Sequence, residues 1–353
     1  MRVLEPDTSV RPLPLVTIVI PTYNRSEWLP RAIESVLQQT YTEFNLLISD
    51  NASTDRTPMV ASAYDDARVC FVRRADHVGL NEHFNVCIDE VSSKYVLVLP
   101  DDDALLPDAI ETLLPALEQN PSVGVAHAKA RLEHGMHVVS PSHDMTGLDG
   151  DAIEGGATFV RRAMSSSHRI HATTALCRTV ALKQTPLDMR DYPATEFAVW
   201  LRLALDWDVA FVARNVAVYQ MHAGTYSASN AHVTAGGYIQ NVDTIEKIYA
   251  VKMRFLDEYG GRLDDIGRLR REARNALRRQ LVNYIGHATF PERRFGTTIR
   301  VIIDCVRREP KVVADAGAWR LLAGSVLGPR LVAYIKSRRR KRTPARPSQA
   351  TGQ

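Results

Sequence analysis

The run Tyr95-Val96-Leu97-Val98-Leu99 is followed at once by Pro100-Asp101-Asp102-Asp103. Its first five residues show no polar alternation, the pattern of a strand in the middle of a parallel sheet with both faces covered. Upstream, residues 16–20 read as a first strand, and Leu29, Ile33, Val36 and Leu37 follow at helical spacing. Residues 44–49 read as a second strand, 56–64 as a short helix and 69–72 as a third strand. Phe84, Ile88 and Val91 form one helical face before the strand at 95–99. Downstream, Ile110, Leu113, Leu114 and Leu117 mark a helix, and 123–128 is another apolar run. Alternating strands and helices of this kind predict an α/β fold, a mostly parallel sheet flanked by helices.

Residues 131–157 are rich in Gly, Ser, Pro, His and Asp and are expected to form loops or irregular strands over a site. Residues 170–177 could return to the sheet, 197–205 have helical period, and 209–212 read as a strand. The expected organisation is an N-terminal extension (1–15), an α/β domain (16–231, with halves at about 16–128 and 129–231), a helical basic region (232–335) and a disordered basic tail (336–353).

The chain has 353 residues, ordinary hydrophobic content and four scattered cysteines without a C-x-x-C pair, which argues against a disordered chain, a zinc ribbon or a redox motif. A reducing cytosol suits such cysteines. The first apolar run is too short, and its flank too acidic, for a signal peptide. Residues 318–335 contain Arg320, Pro329 and Arg330, so no spanning helix is expected there. The net charge of +4 hides an asymmetry: residues 262–342 hold 21 Lys or Arg against 7 Asp or Glu. This basic end suggests anionic partners such as lipid head groups or phosphates, or else is a solvated helical face.

Three polar clusters stand where strands one, two and four end: Pro21-Thr22-Tyr23-Asn24, residues 50–55, and Asp101-Asp102-Asp103. In a parallel α/β sheet such positions line one cleft. Three adjacent carboxylates repel one another unless a cation or donor groups balance them, and a divalent ion bridging to a diphosphate would do so. By itself the triplet suits a helix cap before Pro107 better than a metal site. Asp50 and Asn51 could meet a base or ribose, whereas Ser53 and Asp55 look like capping residues. Tyr23 could stack on a base.

Together, Val-Thr-Ile-Val-Ile-Pro-Thr-Tyr-Asn-Arg at 16–25, Ile-Ser-Asp-Asn-Ala-Ser-Thr-Asp at 48–55 and Leu-Pro-Asp-Asp-Asp at 99–103 closely resemble family 2 glycosyltransferases. The resemblance is strongest over 16–126, weaker over 170–227 and absent from the basic C-terminal region. It implies a GT-A (Rossmann-like) fold, a nucleoside-diphosphate-sugar donor with UDP expected, a divalent metal (Mn²⁺ or Mg²⁺), and sugar transfer with inversion to an acceptor hydroxyl in cell-surface polysaccharide or lipid-linked glycan synthesis. The implied nucleotide-sugar residues are Pro21, Thr22, Tyr23, Asp50, Asn51, Asn85 and Asp101. Asp102 is the implied metal ligand, with Asp103 as its alternative. Pro100 and Asn51 stand where many members have aspartates. Thr195-Glu196, followed by Trp200-Leu201-Arg202-Leu203, is similar to the family's catalytic segment, which makes Glu196 the expected base and Asp191 its substitute. Tyr219-Gln220-Met221-His222-Ala223-Gly224 is similar to the family's Tyr-Arg-x-His-x-Gly, placing His222 near metal or diphosphate.

Two other classes compete with this reading. A sugar-nucleotide nucleotidyltransferase needs a Gly-rich loop after strand one, which Pro21-Thr22-Tyr23-Asn24 is not. A non-catalytic membrane-surface or nucleic-acid-binding protein would act through the basic C-terminal region; nucleic acid is not the expected partner. The expected location is cytoplasmic, either free or peripheral at the inner face of the membrane.

Overall fold

The computed structural model describes residues 14–135, 137–143, 147–166, 170–222, 231–234, 237–240, 242–289, 295–314 and 319. Its opening half alternates as the sequence predicts: β1 (Val16–Thr22), α1 (Leu29–Leu37), β2 (Phe44–Asp50), α2 (Thr57–Ala61), β3 (Val69–Arg73), α3 (Leu80–Asp89) and β4 (Tyr95–Val98). These are followed by β5 (Ala104–Leu105), α4 (Ala109–Glu118), a long β6 (Val123–His134), β7 (His137–His143), β8 (Ala152–Glu154) and α5 (Gly156–Ser165). Then come β9 (Ala175–Arg178), α6 (Thr179–Lys183), α7 (Thr195–Leu203) and β10 (Asp208–Met221). A two-stranded hairpin, β11 (Ala231–Thr234) with β12 (Gly237–Gln240), precedes three helices: α8 (Val242–Tyr259), α9 (Ile266–Thr289) and α10 (Phe295–Arg308).

The main sheet has the order β3-β2-β1-β4-β9-β6-β10-β5. Pairing is parallel from β3 to β4, where each strand is reached through a helical crossover. It turns antiparallel at β9, on both of its sides, and is parallel again between β6 and β10. The sheet is therefore mixed, with its parallel part where the sequence pattern is clearest. The region expected to be loops or irregular strands (131–157) holds the end of β6, β7 and β8, and α5 begins at its edge. Gly156 opens α5 where an added Cβ would lie 2.0 Å from the Ala204 carbonyl oxygen, so the close approach requires glycine.

Alternate residues of the central strands feed two cores. Ile18, Ile20, Leu97 and Leu99 pack with Leu29, Ile33, Ile110 and Leu113 of α1 and α4. Val19, Val96 and Val98 pack on the other face with residues of α3, α5 and α7. That two-sided burial explains the absence of polar alternation in 95–99. The second core also takes Ile248, Val251 and Phe255 of α8 and Leu269 and Ala273 of α9. The helices beyond the sheet thus share the core of the α/β body, while Leu277, Leu281 and Ile285 of α9 join Cys305 of α10 in a smaller cluster. Among the described residues no helix is long and apolar enough to cross a membrane. The expected tail at 336–353, and 320–335 before it, lie outside the described residues.

Candidate active site

The loops leaving β1 and β2 are stitched together by polar side chains. Asn24, held at φ 53°, donates its N–H to Ser53 Oγ (2.9 Å) and accepts from the Thr54 N–H through Oδ1 (2.8 Å). Asn and similar short polar residues tolerate this left-handed backbone because they bond locally. The Asn51 N–H donates to the Thr22 carbonyl, joining the ends of the two strands. Asp50, fully buried, accepts from the Ser53 N–H and lies 3.3 Å from Arg73 Nε.

Above these loops the Tyr23 ring is 40% exposed and its centroid lies 4.1 Å from that of His77. The two rings pack against each other with their planes at 37°, at the carboxyl ends of the parallel strands, where a base could stack on Tyr23. Nothing in the local sequence marks His77 for this position; it arrives on the segment between β3 and α3.

The three aspartates have different surroundings. Asp101 is close to the Arg25 guanidinium (Nε to Oδ1, 3.7 Å), yet burial pushes its carboxyl up to about 7. The neighbouring Asp102 charge adds to that rise, while the Thr22 hydroxyl and Arg25 oppose it. Asp102 Oδ2 lies 3.2 Å from His222 Nε2, joining the end of β4 to the end of β10. The His222 ring stacks on Trp28 with centroids 4.2 Å apart and planes at 11°. Asp103 is buried; Oδ1 accepts from the Gln220 N–H (2.9 Å) and Oδ2 from the Thr173 hydroxyl. Burial, then Asp102, drives its carboxyl well above the usual range, and Glu196 adds to the rise. Glu196 also lines one cavity with Pro100 and with Thr173, the partner of Asp103. Glu196 is exposed in the first turn of α7, next to Thr195, whose hydroxyl oxygen is 3.4 Å from Asn81 Nδ2 on α3.

Four sequence candidates have side chains committed elsewhere. Asn51 donates to the Val78 carbonyl and accepts from the Val78 N–H (2.9 and 3.0 Å). Asn85 clasps Leu187 in the same two-way manner (2.9 and 2.8 Å). Asp191 is buried between Arg202 (2.8 Å) and Arg254. Asp103 ties β10 and the turn at 172–174 to the end of β4. Pro21 and Thr22 are buried at the end of β1, as part of the cleft floor.

A cavity of about 220 Å³ is lined by Pro100 and Glu196 and by residues of α3 and α7. Its walls are largely apolar, with Leu80, Phe84, Ile88, Leu187 and Phe197 among them.

Residues 17–170 match the sequence model of the family described as Glycosyl transferase family 2. An uncharacterized protein of Mycobacterium tuberculosis (strain CDC 1551 / Oshkosh) is 28% identical over 226 residues, which cover 62% of this chain and 70% of that protein. The GalNAc(5)-diNAcBac-PP-undecaprenol beta-1,3-glucosyltransferase of Campylobacter jejuni is 33% identical over 33% of this chain; the match spans 37% of that enzyme's length. Among solved structures, S. aureus TarS 1-349 in complex with UDP-GlcNAc superposes with a TM-score of 0.57 at 17% identity, covering 91% of this chain and 87% of that one. The mannosyltransferase PcManGT from Pyrobaculum calidifontis, in complex with GDP-Man and Mn²⁺, reaches 0.50 at 15% identity, over 89% and 86% of the two chains. At these identities the structures speak for the fold, which is GT-A. The chain thus has the GT-A fold, and its residues 17–170 match glycosyl transferase family 2.

Proposed function

We propose that the chain transfers a sugar from a nucleoside-diphosphate sugar to an acceptor hydroxyl with inversion at the anomeric carbon. The observation that carries this reading is the convergence of Asp102 and His222 (3.2 Å), next to Asp101 and to Pro100, which lines a cavity with Glu196. In this reading Tyr23 and His77 stack on the base, and Asp50 and Asp101 meet the nucleoside. UDP is the leading nucleotide because the TarS structure holds UDP-GlcNAc, although PcManGT holds GDP-Man.

A hard carboxylate and an imidazole directed at one point suit Mn²⁺ or Mg²⁺, with the remaining coordination left to water and phosphate oxygens. Asp102 and His222 would hold such an ion; among the described residues no cluster of three or more His, Cys, Asp or Glu offers a protein-only cage. When bound, the ion would neutralise charge on the departing diphosphate. Arg25 lies beside Asp101, and Trp28 fixes the plane of His222 by stacking. Glu196, exposed at the start of α7, accepts the acceptor proton as its oxygen attacks from the face opposite the diphosphate. Asp103 and Asp191 act as structural carboxylates in this scheme, and Asn51 and Asn85 as loop clamps.

The catalytic unit is read as residues 16–231, with the donor half in 16–128. The Campylobacter relative's name includes an undecaprenol-linked substrate, which supports a cell-surface glycan role for this chain. The basic helices would rest on an anionic membrane at its cytoplasmic face. The test is nucleotide release from UDP-, dTDP- and GDP-sugars with Mn²⁺ or Mg²⁺, for the native chain and for Asp102→Ala and Glu196→Ala. Turnover and binding of none of these donors would overturn the reading.

A further inference from the structure

We propose that the cavity behind Glu196 is a subsite for the apolar segment of an amphipathic acceptor, a short alkyl chain or an aromatic ring carrying the hydroxyl that is glycosylated. This rests on the reading of Glu196 as the base and extends it by naming the acceptor's chemical class.

Three observations support it. First, the cavity's position: Pro100, next to the aspartate triplet, and Glu196 both line it, so a molecule seated inside borders the proposed base. Second, its chemistry: Phe84, Ile88, Leu182 and Val199 supply hydrocarbon walls, while two of the polar groups there are already engaged, Asn81 with Thr195 and Thr173 with Asp103. A sugar ring pushed inside would bury hydroxyls beside hydrocarbon, and each one left without a partner costs free energy. An apolar segment loses no such bonds and removes its own surface from water. Third, its rim: Leu80 and Tyr192 line the cavity yet are 53% and 39% exposed, an apolar margin continuous with the interior.

Size narrows the occupant. An apolar cavity of about 150 Å³ accepts benzene, so about 220 Å³ takes one ring or a short chain, and a longer lipid would leave most of its length outside.

The test uses the full chain and two probes with the same sugar, octyl and methyl β-glucopyranoside, kept below the micellar concentration and titrated calorimetrically in parallel with UDP. The octyl glycoside should bind about tenfold or more tightly than the methyl one, since only a few methylenes need be buried for that ratio. Leu80→Asp, at a position 53% exposed, should erase the preference and leave UDP affinity unchanged; Tyr192→Ser should reduce it. Equal affinity for the two glycosides overturns the subsite whatever UDP does, and so does an octyl preference that survives Leu80→Asp. Loss of UDP binding with a Leu80-dependent octyl preference would instead overturn the donor-site reading and leave the apolar subsite standing.

Discussion

Asp102 Oδ2 and His222 Nε2 lie 3.2 Å apart although 120 residues separate them in sequence, and the imidazole is held there by face-to-face stacking on Trp28. One residue comes from the end of β4, the other from the end of β10, and the intervening β9 and β6 set the distance between them. Replacing either partner should therefore act through the ion the pair would share. Asp102→Asn or His222→Ala should lower nucleotide release about 10–100-fold and raise the Mn²⁺ concentration for half-maximal rate. The double variant should lose little more than the worse single one, because the two act as a unit. A metal titration of initial rates checks this, and an unchanged metal requirement in both variants would remove the pair from the mechanism.

Glu196 and Asp191 can be separated by what their loss damages. Glu196→Gln should reduce turnover about 10²–10⁴-fold with no shift in thermal midpoint, since Glu196 is exposed. Asp191→Ala leaves Arg202 and Arg254 facing each other beside the core. Breaking a buried pair in this way costs about 3–5 kcal/mol, and the lower end applies because both arginines retain contact with water. Denaturant unfolding beside steady-state rates distinguishes the two; a fully stable, inactive Asp191 variant would restore it as a base.

Asp101 gives a pH dependence of defined sign. Its carboxyl is raised to about 7 in the folded chain, against about 3.9 in an unfolded one. The folded state therefore favours the protonated form, and this stabilisation is complete below about pH 4 and is lost as pH rises through 7. In metal-free buffer Asp101→Asn should be more stable than the native chain at pH 8, and the gap should close towards pH 4. Chemical denaturation across that range measures it, and parallel stability curves would rule it out.

Asp103→Ala removes the acceptor for the Gln220 N–H and the Thr173 hydroxyl together. Each buried donor left without a partner costs about 1–3 kcal/mol. Because Gln220 also takes a hydrogen bond from Arg31 (2.5 Å), slackening at the end of β10 should carry over to His222. The expected result is a clear loss of stability with a weaker metal response, read by unfolding and metal titration.

The basic helices can be tested at exposed side chains without truncation, which would remove Leu269 and Ala273 from the main core. Arg271→Glu, Arg307→Glu and Lys311→Glu together should weaken binding to anionic vesicles, with each charge contributing about 1 kcal/mol, and leave neutral vesicles unaffected. Co-sedimentation at low and high salt is the measurement; unchanged binding would dismiss the membrane surface.

Much of the first half was legible because its signals are local. Each strand from β1 to β4 is a short apolar run, each crossover has helical period, and the polar clusters directly follow the strands. The helix expected at 56–64 shrinks to Thr57–Ala61, the irregular composition of 131–157 gives β7 and β8 no clear pattern, and no helix is expected where α5 follows; the order of these elements comes from pairing and packing across the fold. The antiparallel entry of β9 has no local signature at all.

Sequence by itself determined which chemical groups stand at the strand ends, since strand register carries Tyr23, Asp50 and the aspartate triplet to one edge of the sheet. Only the tertiary structure decided how those groups divide the work. Hydrogen-bond partners and burial depend on residues far along the chain: Gln220 and Thr173 engage Asp103, Val78 and Leu187 engage Asn51 and Asn85, and Arg202 and Arg254 engage Asp191. Three adjacent aspartates are alike in sequence, but one faces Arg25, one His222 and one the buried end of β10. Charge in a folded protein takes its role from its neighbours, and folding supplies those neighbours.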